Sequence, residues 1–319
     1  MRSREKHGMT LKLFEFTSKM PNKTLIIIAG PTAIGKTALS IFLAKQFNTV
    51  ILSADSRQFF RETSIGTAKP TEVEMQGIPH YFINSLSIQD DYNVGKYETE
   101  AIALLDELFK TKDVLILVGG SGLYIDAITK GFDELPEADK EVRNKITTLL
   151  NEKGIEALQK MLKELDPIYY NKVDLNNPQR LSRALEVCLT SGKPYSSQRA
   201  DTTKKRNFTT LKFGLNTDRG ILYNRINKRV DEMIEQGLLE EVKQLISFKH
   251  LNSLQTVGYK ELFDYFDNKT DLQTAIDLIK QNTRKFAKRQ LTWFRRDEEI
   301  KWFEPTEENK IVDYIKEKL

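Results

Sequence analysis

The chain has 319 residues, 39% hydrophobic and 29% charged, with 49 basic and 45 acidic side chains and a net charge of +4. That is enough chain for one large α/β domain and a smaller one, and no apolar run approaches the ~20 residues that a membrane-spanning helix needs. The single cysteine, Cys188, excludes an intramolecular disulfide and a multi-cysteine metal site, and it suits a reducing, cytoplasmic compartment.

Residues 1–22 mix charged and apolar side chains and include Glu5 and Glu15. Without an apolar h-region or a small-residue cleavage site, they read as a disordered leader rather than a secretory signal. Thr24 to Ala29 (TLIIIA) is predicted as a buried strand running into a glycine-rich loop, with a helical pattern from Thr37 to Phe47. Val50 to Leu52 and Val114 to Val118 are predicted as further strands, the latter again running into glycines. Near-continuous apolar strands alternating with helices indicate a parallel sheet covered on both faces. From Glu134 to Arg206 the spacing is helical instead, as in Ile146, Leu149, Leu150, Ile155, Leu158, Leu162 and Leu165. Within it, Asn177-Pro178 opens a helix that ends before Gly192. Leu211 to Leu215 reads as a strand returning to the sheet, and a long amphipathic helix follows from Asp218, striped by Leu222, Ile226, Val230, Met233 and Ile234. The predicted fold is α/β, a P-loop NTPase-like parallel-sheet core with a small all-helical insertion domain and a helical C-terminal region. Its core spans 23–133 and 207–319, and its insertion spans 134–206.

Gly30, Pro31, Thr32, Ala33, Ile34, Gly35, Lys36 and Thr37 fit the pattern G-x-x-x-x-G-K-S/T between a strand and a helix, the context this motif requires. Such glycines let backbone N–H groups turn onto phosphate oxygens. The helix N-terminus and Lys36 add positive charge, and Thr37 offers a hydroxyl to Mg²⁺. ATP is a poorer fit as the ligand. NTPases hold Mg²⁺ through a carboxylate at the end of a second strand, whereas Val114 to Val118 ends in Gly119-Gly120-Ser121-Gly122 and Asp113 lies at its wrong end. Asp55 follows the second strand, in the turn that an open parallel sheet points at its ligand crevice. By itself such an Asp is either a cap or a general base.

Taken in order, the strings GPTAIGKT (30–37), DSRQFF (55–60), IGTAKPT (65–71), PHYFI (79–83) and VGGSGLY (118–124) resemble the tRNA dimethylallyltransferase family. The resemblance continues through NPQRLSRALEV (177–187), TDR (217–219), TVGYKE (256–261) and TRKFAKRQLTWFRR (283–296), so it covers roughly Thr24 to Phe303. It implies transfer of the dimethylallyl group of dimethylallyl diphosphate to the exocyclic amine of the adenosine just 3′ of the anticodon. The implied substrates are tRNAs reading codons that begin with U, with Mg²⁺ as cofactor and the enzyme a monomer. It further implies that Gly30 to Thr37 hold the diphosphate, that Asp55 is the general base, that Ser121 (where the family often has threonine) takes part, and that Arg219 neutralises the diphosphate. The positions it assigns to tRNA contact are Asp55, Ser56, Arg57, Gln58, Ser121, Arg143, Gln179, Arg180, Leu181, Ser182, Arg183, Gln255, Thr256, Val257, Gly258, Tyr259 and Lys260.

The chemistry agrees with that assignment. An allylic diphosphate leaves as its growing charge is met by cations and amides, and no covalent intermediate is needed. The target base must leave its stack, at a cost on the order of a few kcal/mol, and an unpaired loop makes that easiest. Thr283 to Arg296 carries six cations and no acid, interleaved with Phe286, Trp293 and Phe294. This suits RNA phosphates and bases, although Phe286, Leu291 and Phe294 equally suit a core. Cys188 and His80 read as structural, and Lys204-Lys205-Arg206 as a solvated linker. The rival readings are an adenylate isopentenyltransferase acting on free AMP or ATP, a P-loop kinase, and an RNA-binding module with a dead loop.

Overall fold

The structure, a computed structural model, describes residues 23–133, 135–137, 139–199 and 203–319. The expected leader at 1–22 lies outside the described residues. In chain order the elements are β1 (Thr24–Ala29), α1 (Lys36–Gln46), β2 (Ile51–Ser53), α2 (Glu72–Met75), β3 (His80–Tyr81), α3 (Val94–Leu108), β4 (Val114–Gly119), α4 (Gly122–Thr129) and α5 (Lys140–Leu165). They continue with α6 (Pro167–Tyr170), α7 (Pro178–Ser191), β5 (Thr209–Leu215), α8 (Arg219–Glu235), α9 (Leu238–Gln244), α10 (Tyr259–Phe266), α11 (Leu272–Phe294), β6 (Lys301–Phe303) and α12 (Glu308–Lys318). Among the described residues no helix is long and apolar enough to cross a membrane.

The six strands are parallel, in the order β3-β2-β4-β1-β5-β6. From β1 the chain moves outward past β4 to β2, and after β4 it moves to the other side, through β5 to β6. The reversal leaves a crevice at the carboxyl end of β1, where open α/β sheets bind ligands. All six residues of β1 are buried, because helices cover both faces of the sheet. Ile26, Ile28, Phe213 and Leu215 pack there with Leu39, Leu43, Leu222 and Ile226 from α1 and α8. A second apolar cluster joins α8, α9, α10 and α11 through Val230, Leu238, Val242, Tyr259, Leu262 and Ile279.

The four strands predicted from sequence form, each within a residue or so of its expected ends. The edge strands β3 and β6 escape a sequence reading, since two and three residues carry no periodicity. His80 lies on β3, with Nδ1 2.8 Å from the Ile78 carbonyl, and burial holds its pKa below the usual histidine value.

The chain divides into two compact units, the second made of Asp90–Ala103 and Ser121–Arg206. This division begins at Ser121 rather than Glu134 and draws in the start of α3. The reason is Glu98 on α3, whose nearly buried carboxylate accepts hydrogen bonds from Phe132 N (3.1 Å), Arg206 Nη2 (2.9 Å) and Lys204 Nζ (3.4 Å). Arg206 also donates to the carbonyls of Ala127 (2.7 Å) and Ile128 (2.8 Å). The Lys204-Lys205-Arg206 run is therefore not a solvated linker: only Lys205 is exposed without such a partner, and the flanking cations are consumed inside the unit.

The same unit carries its own core, where α5, kinked at Gly154 (φ 75°), packs on α7 through Ile146, Leu158, Leu162, Leu181, Ala184 and Leu185. Asn177 caps α7 by accepting the Arg180 N–H, and Gly192 ends it in the left-handed conformation. Cys188 is buried on that helix and accepts the Tyr195 N–H at 3.2 Å, which makes it a core residue. Leu185 is fully buried, so Leu185→Ala is expected to cost this unit roughly 2–5 kcal/mol. Urea denaturation followed by circular dichroism should show the lower midpoint.

Candidate active site

The phosphate loop folds as its glycines require. Gly30 (φ 148°) and Gly35 (φ 108°) occupy backbone conformations closed to other residues. A Cβ at Gly30 would meet the Leu215 carbonyl at 3.0 Å, so the loop can leave β1 only by pressing against β5. Gly35 is the N-cap of α1 and brings no side-chain cap. The first-turn N–H groups thus stay open to an anion, with the helix dipole behind them.

Lys36 is folded back, its ammonium donating to the carbonyls of Gly30 (3.0 Å) and Pro31 (2.8 Å). Burial pushes its pKa down to about 8; Asp55 opposes that shift and Arg229 adds to it. Thr37 follows at the first turn and lines the same cavity, which has a volume of about 750 Å³.

Asp55 also lines this cavity. It accepts the Arg57 N–H through Oδ1 at 3.1 Å, a local turn bond rather than a helix cap, with the residue still on the cavity wall. Arg57 lies over the Phe286 ring, 4.2 Å from its centroid. Burial lowers the pKa of Arg57 and Arg229, with Asp55 the main opposing influence on each; both stay cationic at neutral pH. Gln58 Nε2 donates to Thr67 O (3.4 Å) and Ala68 O (3.2 Å), which ties the Asp55 turn to the 65–71 loop.

Arg219, the first residue of α8, is exposed and sits over Tyr223 (5.0 Å), away from the cavity lining. Arg225 and Arg229, about two and three turns further along the same helix, line the cavity instead. Arg225 Nη1 lies 3.4 Å from Ile34 O, and Arg229 donates to Thr32 Oγ1 (3.4 Å) and Ala68 O (3.3 Å). They flank the core-facing stripe Leu222, Ile226 and Val230, a pattern legible in sequence that a resemblance through TDR passes over.

Two other assignments are internal. Leu181 and Tyr259 are fully buried, so neither side chain is open to RNA. Tyr259 donates to Glu241, which also accepts the N–H groups of Ser64 (3.0 Å), Ile65 (2.8 Å) and Gly66 (3.0 Å). That carboxylate, which sequence reasoning missed, clamps the loop carrying Thr67 and Ala68. Gly66 is obligatory beneath it, since a Cβ would lie 2.6 Å from the Tyr259 ring. In the 255–260 segment Gln255 and Lys260 are exposed, Thr256 and Val257 half-buried, and Gly258 buried. In the helical unit Gln179 and Arg180 are exposed, Ser182 is half-buried, and Arg143 (3.0 Å) and Arg183 (3.5 Å) share the buried Glu186. Ser121 is the N-cap residue of α4.

The β4 end is closed to a carboxylate by packing as well as by sequence. A Cβ at Gly119 would fall 2.5 Å from the Ala54 carbonyl oxygen. Among the described residues no three His, Cys, Asp or Glu are grouped to hold a metal ion.

A glycine loop at the switch point, a bare helix N-terminus and a cluster of cations around Asp55 define a P-loop enzyme for a phosphate-bearing substrate. Residues 58–297 match the family described as IPP transferase. The tRNA dimethylallyltransferase of Christiangramia forsetii is 56% identical over 296 residues, covering 92% of this chain and 98% of that protein. That of Flavobacterium johnsoniae is 55% identical over 304 residues, 93% of this chain and 98% of the relative. The solved full-length tRNA isopentenylpyrophosphate transferase of Bacillus halodurans shares 36% identity with a TM-score of 0.69, over 93% of this chain and 96% of that one. A eukaryotic dimethylallyltransferase acting on tRNA, at 28% identity, superposes with a TM-score of 0.74 over 89% of this chain and 74% of its own. The chain belongs to the IPP transferase family.

Two predictions follow from the polar ties of the site. Lys36 has a folded pKa of about 8 against 10.5 unfolded, so its buried charge costs stability at pH 8 and below, and the cost fades as pH rises toward 10.5. Lys36→Met should therefore gain roughly 1–2 kcal/mol at pH 7, a gain that shrinks at pH 9.5 in parallel urea titrations. Glu241→Gln sets an NH₂ against N–H donors and should lose about 1–3 kcal/mol, read in the same assay.

Proposed function

We propose that this enzyme transfers the dimethylallyl group of dimethylallyl diphosphate to the N6 amine of the adenosine just 3′ of the anticodon, in tRNAs reading codons that begin with U. The observation that carries the reading is one cavity lined by the phosphate loop, Arg225, Arg229 and Asp55, whose β4 wall admits no second carboxylate. That combination suits a diphosphate that leaves and an amine that must lose a proton, and it disfavours phosphoryl transfer by an ATP-dependent kinase.

In the reaction the N6 lone pair forms a bond to C1 of the dimethylallyl group while the C1–O bond breaks, and the electron pair departs with the diphosphate. The loop amides, Lys36, Arg225 and Arg229 stabilise that departing charge. Asp55 accepts the proton released from N6. Thr37 offers a hard oxygen donor that fits Mg²⁺, an ion that favours few protein ligands and a share of substrate phosphate oxygens. Bound there, Mg²⁺ would supply further charge neutralisation to the leaving group. The exposed cations of α11, with Gln179, Arg180, Arg143, Arg183, Gln255 and Lys260, are the proposed tRNA contacts.

Asp55→Asn preserves the cap on the Arg57 N–H but removes the base. With radiolabelled dimethylallyl diphosphate and unmodified tRNA, transfer should fall at least ~100-fold, while tRNA retention on filters changes less than about twofold. Label appearing in AMP instead of tRNA with the unaltered enzyme would move the substrate to free adenylate, and label in neither would overturn the reading.

A further inference from the structure

Gln290 on α11 is an amide whose two ends are both committed. Its Oε1 accepts the N–H of Thr32, in the phosphate loop, at 2.9 Å. Its Nε2 donates to the carbonyl of Gly120, just past β4, also at 2.9 Å. Only one orientation of the amide satisfies an N–H on one side and a C=O on the other, which fixes the O and N assignment. The side chain is 6% exposed, yet it borders the cavity. Gly120 is cut to fit it, for a Cβ there would lie 2.3 Å from Gln290 Nε2, and the glycine needs no left-handed backbone for any other reason.

The tie falls at a sensitive point. Thr32 lies between the two glycines that shape the loop, and its hydroxyl also receives Arg229. The proposed mechanism does not use Gln290, and no charge on it could grip a diphosphate. A neutral side chain that answers a donor and an acceptor at once can fix backbone there without adding charge beside the anion. A carboxylate in its place could not donate to Gly120, and an ammonium could not accept from Thr32.

We propose that Gln290 is a positioning residue that holds the first half of the phosphate loop against the end of β4 in the shape that receives diphosphate. It acts through Thr32 and does not touch the reacting atoms. Without it the half-buried Thr32 N–H and the buried Gly120 C=O lose their partners, and the loop shifts to satisfy them elsewhere. Apparent affinity then falls with the fraction of molecules still in the receptive shape. This rests on the reading of the loop as a diphosphate site.

The test pairs two independent ways of breaking the same tie. Gln290→Met keeps the length of the side chain and removes both hydrogen bonds; Gly120→Ala leaves Gln290 in place and pushes its amide away. For each, and for the double variant, calorimetry gives the Kd of inorganic diphosphate with Mg²⁺. Steady-state transfer gives separate KM values for dimethylallyl diphosphate and tRNA. Each single variant should weaken diphosphate and raise the KM of dimethylallyl diphosphate about tenfold, with the KM of tRNA within about twofold. The double variant should be no worse than the weaker single one, because both changes remove one interaction. If Gln290→Met is too unstable to assay, Gly120→Ala alone decides. Variants that bind diphosphate like the unaltered enzyme, or in which both KM values rise together as the melting temperature falls, overturn the positioning role. An unaltered enzyme that binds no diphosphate overturns the reading of the site itself.

Discussion

The constraint on which the rest of the structure depends is an excess of positive charge held in place before any ligand arrives. Lys36, Arg57, Arg225 and Arg229 line one cavity with the uncapped start of α1; Asp55 partly offsets the burial of Lys36, Arg57 and Arg229, and Glu74 and Glu232 lie on the same lining. Lys36 is the most costly of these, and it is tolerated because two loop carbonyls accept its protons and Asp55 lies near enough to offset part of the burial. Holding that charge before any ligand arrives comes at the expense of the loop's own stability.

Such a cluster keeps its shape only if backbone, rather than ligand, is tied down around it. Three side chains do this from three different elements. Gln58 reaches Thr67 and Ala68, Glu241 gathers three consecutive amides with Tyr259 behind it, and Gln290 spans Thr32 and Gly120. Each answers backbone groups that would otherwise be buried without partners, a cost comparable to a lost hydrogen bond. Glycines complete the scheme from the other side: Gly66, Gly119 and Gly120 lie where a single extra carbon would strike Tyr259, Ala54 or Gln290. At Gly119 the same crowding removes room for a second acid, so the departure from an NTPase-like site is built into the packing of β4 on β2.

What the sequence made legible tracks the length over which a physical signal repeats. β1, β4 and the amphipathic α8 announce themselves over six or more residues, and the phosphate loop is a local motif written within eight consecutive positions. β3 and β6 are too short to repeat anything. The clamps were illegible for another reason. Glu241 meets Ser64 to Gly66 across more than 170 positions and Gln290 meets Thr32 across 258, and nothing in either neighbourhood marks it as more than a polar helix residue. A motif boundary is not a geometric one: α8 turns Arg219 toward Tyr223 and solvent, while helical spacing brings Arg225 and Arg229 to the loop. Arg206 misled because a basic run looks solvated until Glu98 is found to be its partner.

The two readings of Thr283 to Arg296, core helix or RNA surface, both survive because α11 has two faces at work over the same turns. Thr283, Phe286 and Gln290 recur at helical spacing along the cavity, and Ala287, Gln290 and Phe294 carry the buried side. Lys285, Lys288, Arg289, Thr292, Arg295 and Arg296 are exposed on the remainder. Arg289 nonetheless lies 5.7 Å from the centroid of Phe286, whose ring also carries Arg57 from the Asp55 turn. A polyanion engaging the outer cations would thus bear on a helix whose inner residues contact the turn holding the carboxylate and the loop holding the phosphates. The buried amide of Gln290 joins that helix directly to the loop. The helix is legible as a polar-apolar stripe, but the tie it carries between the loop and the end of β4 exists only once Thr32 and Gly120 are folded against it.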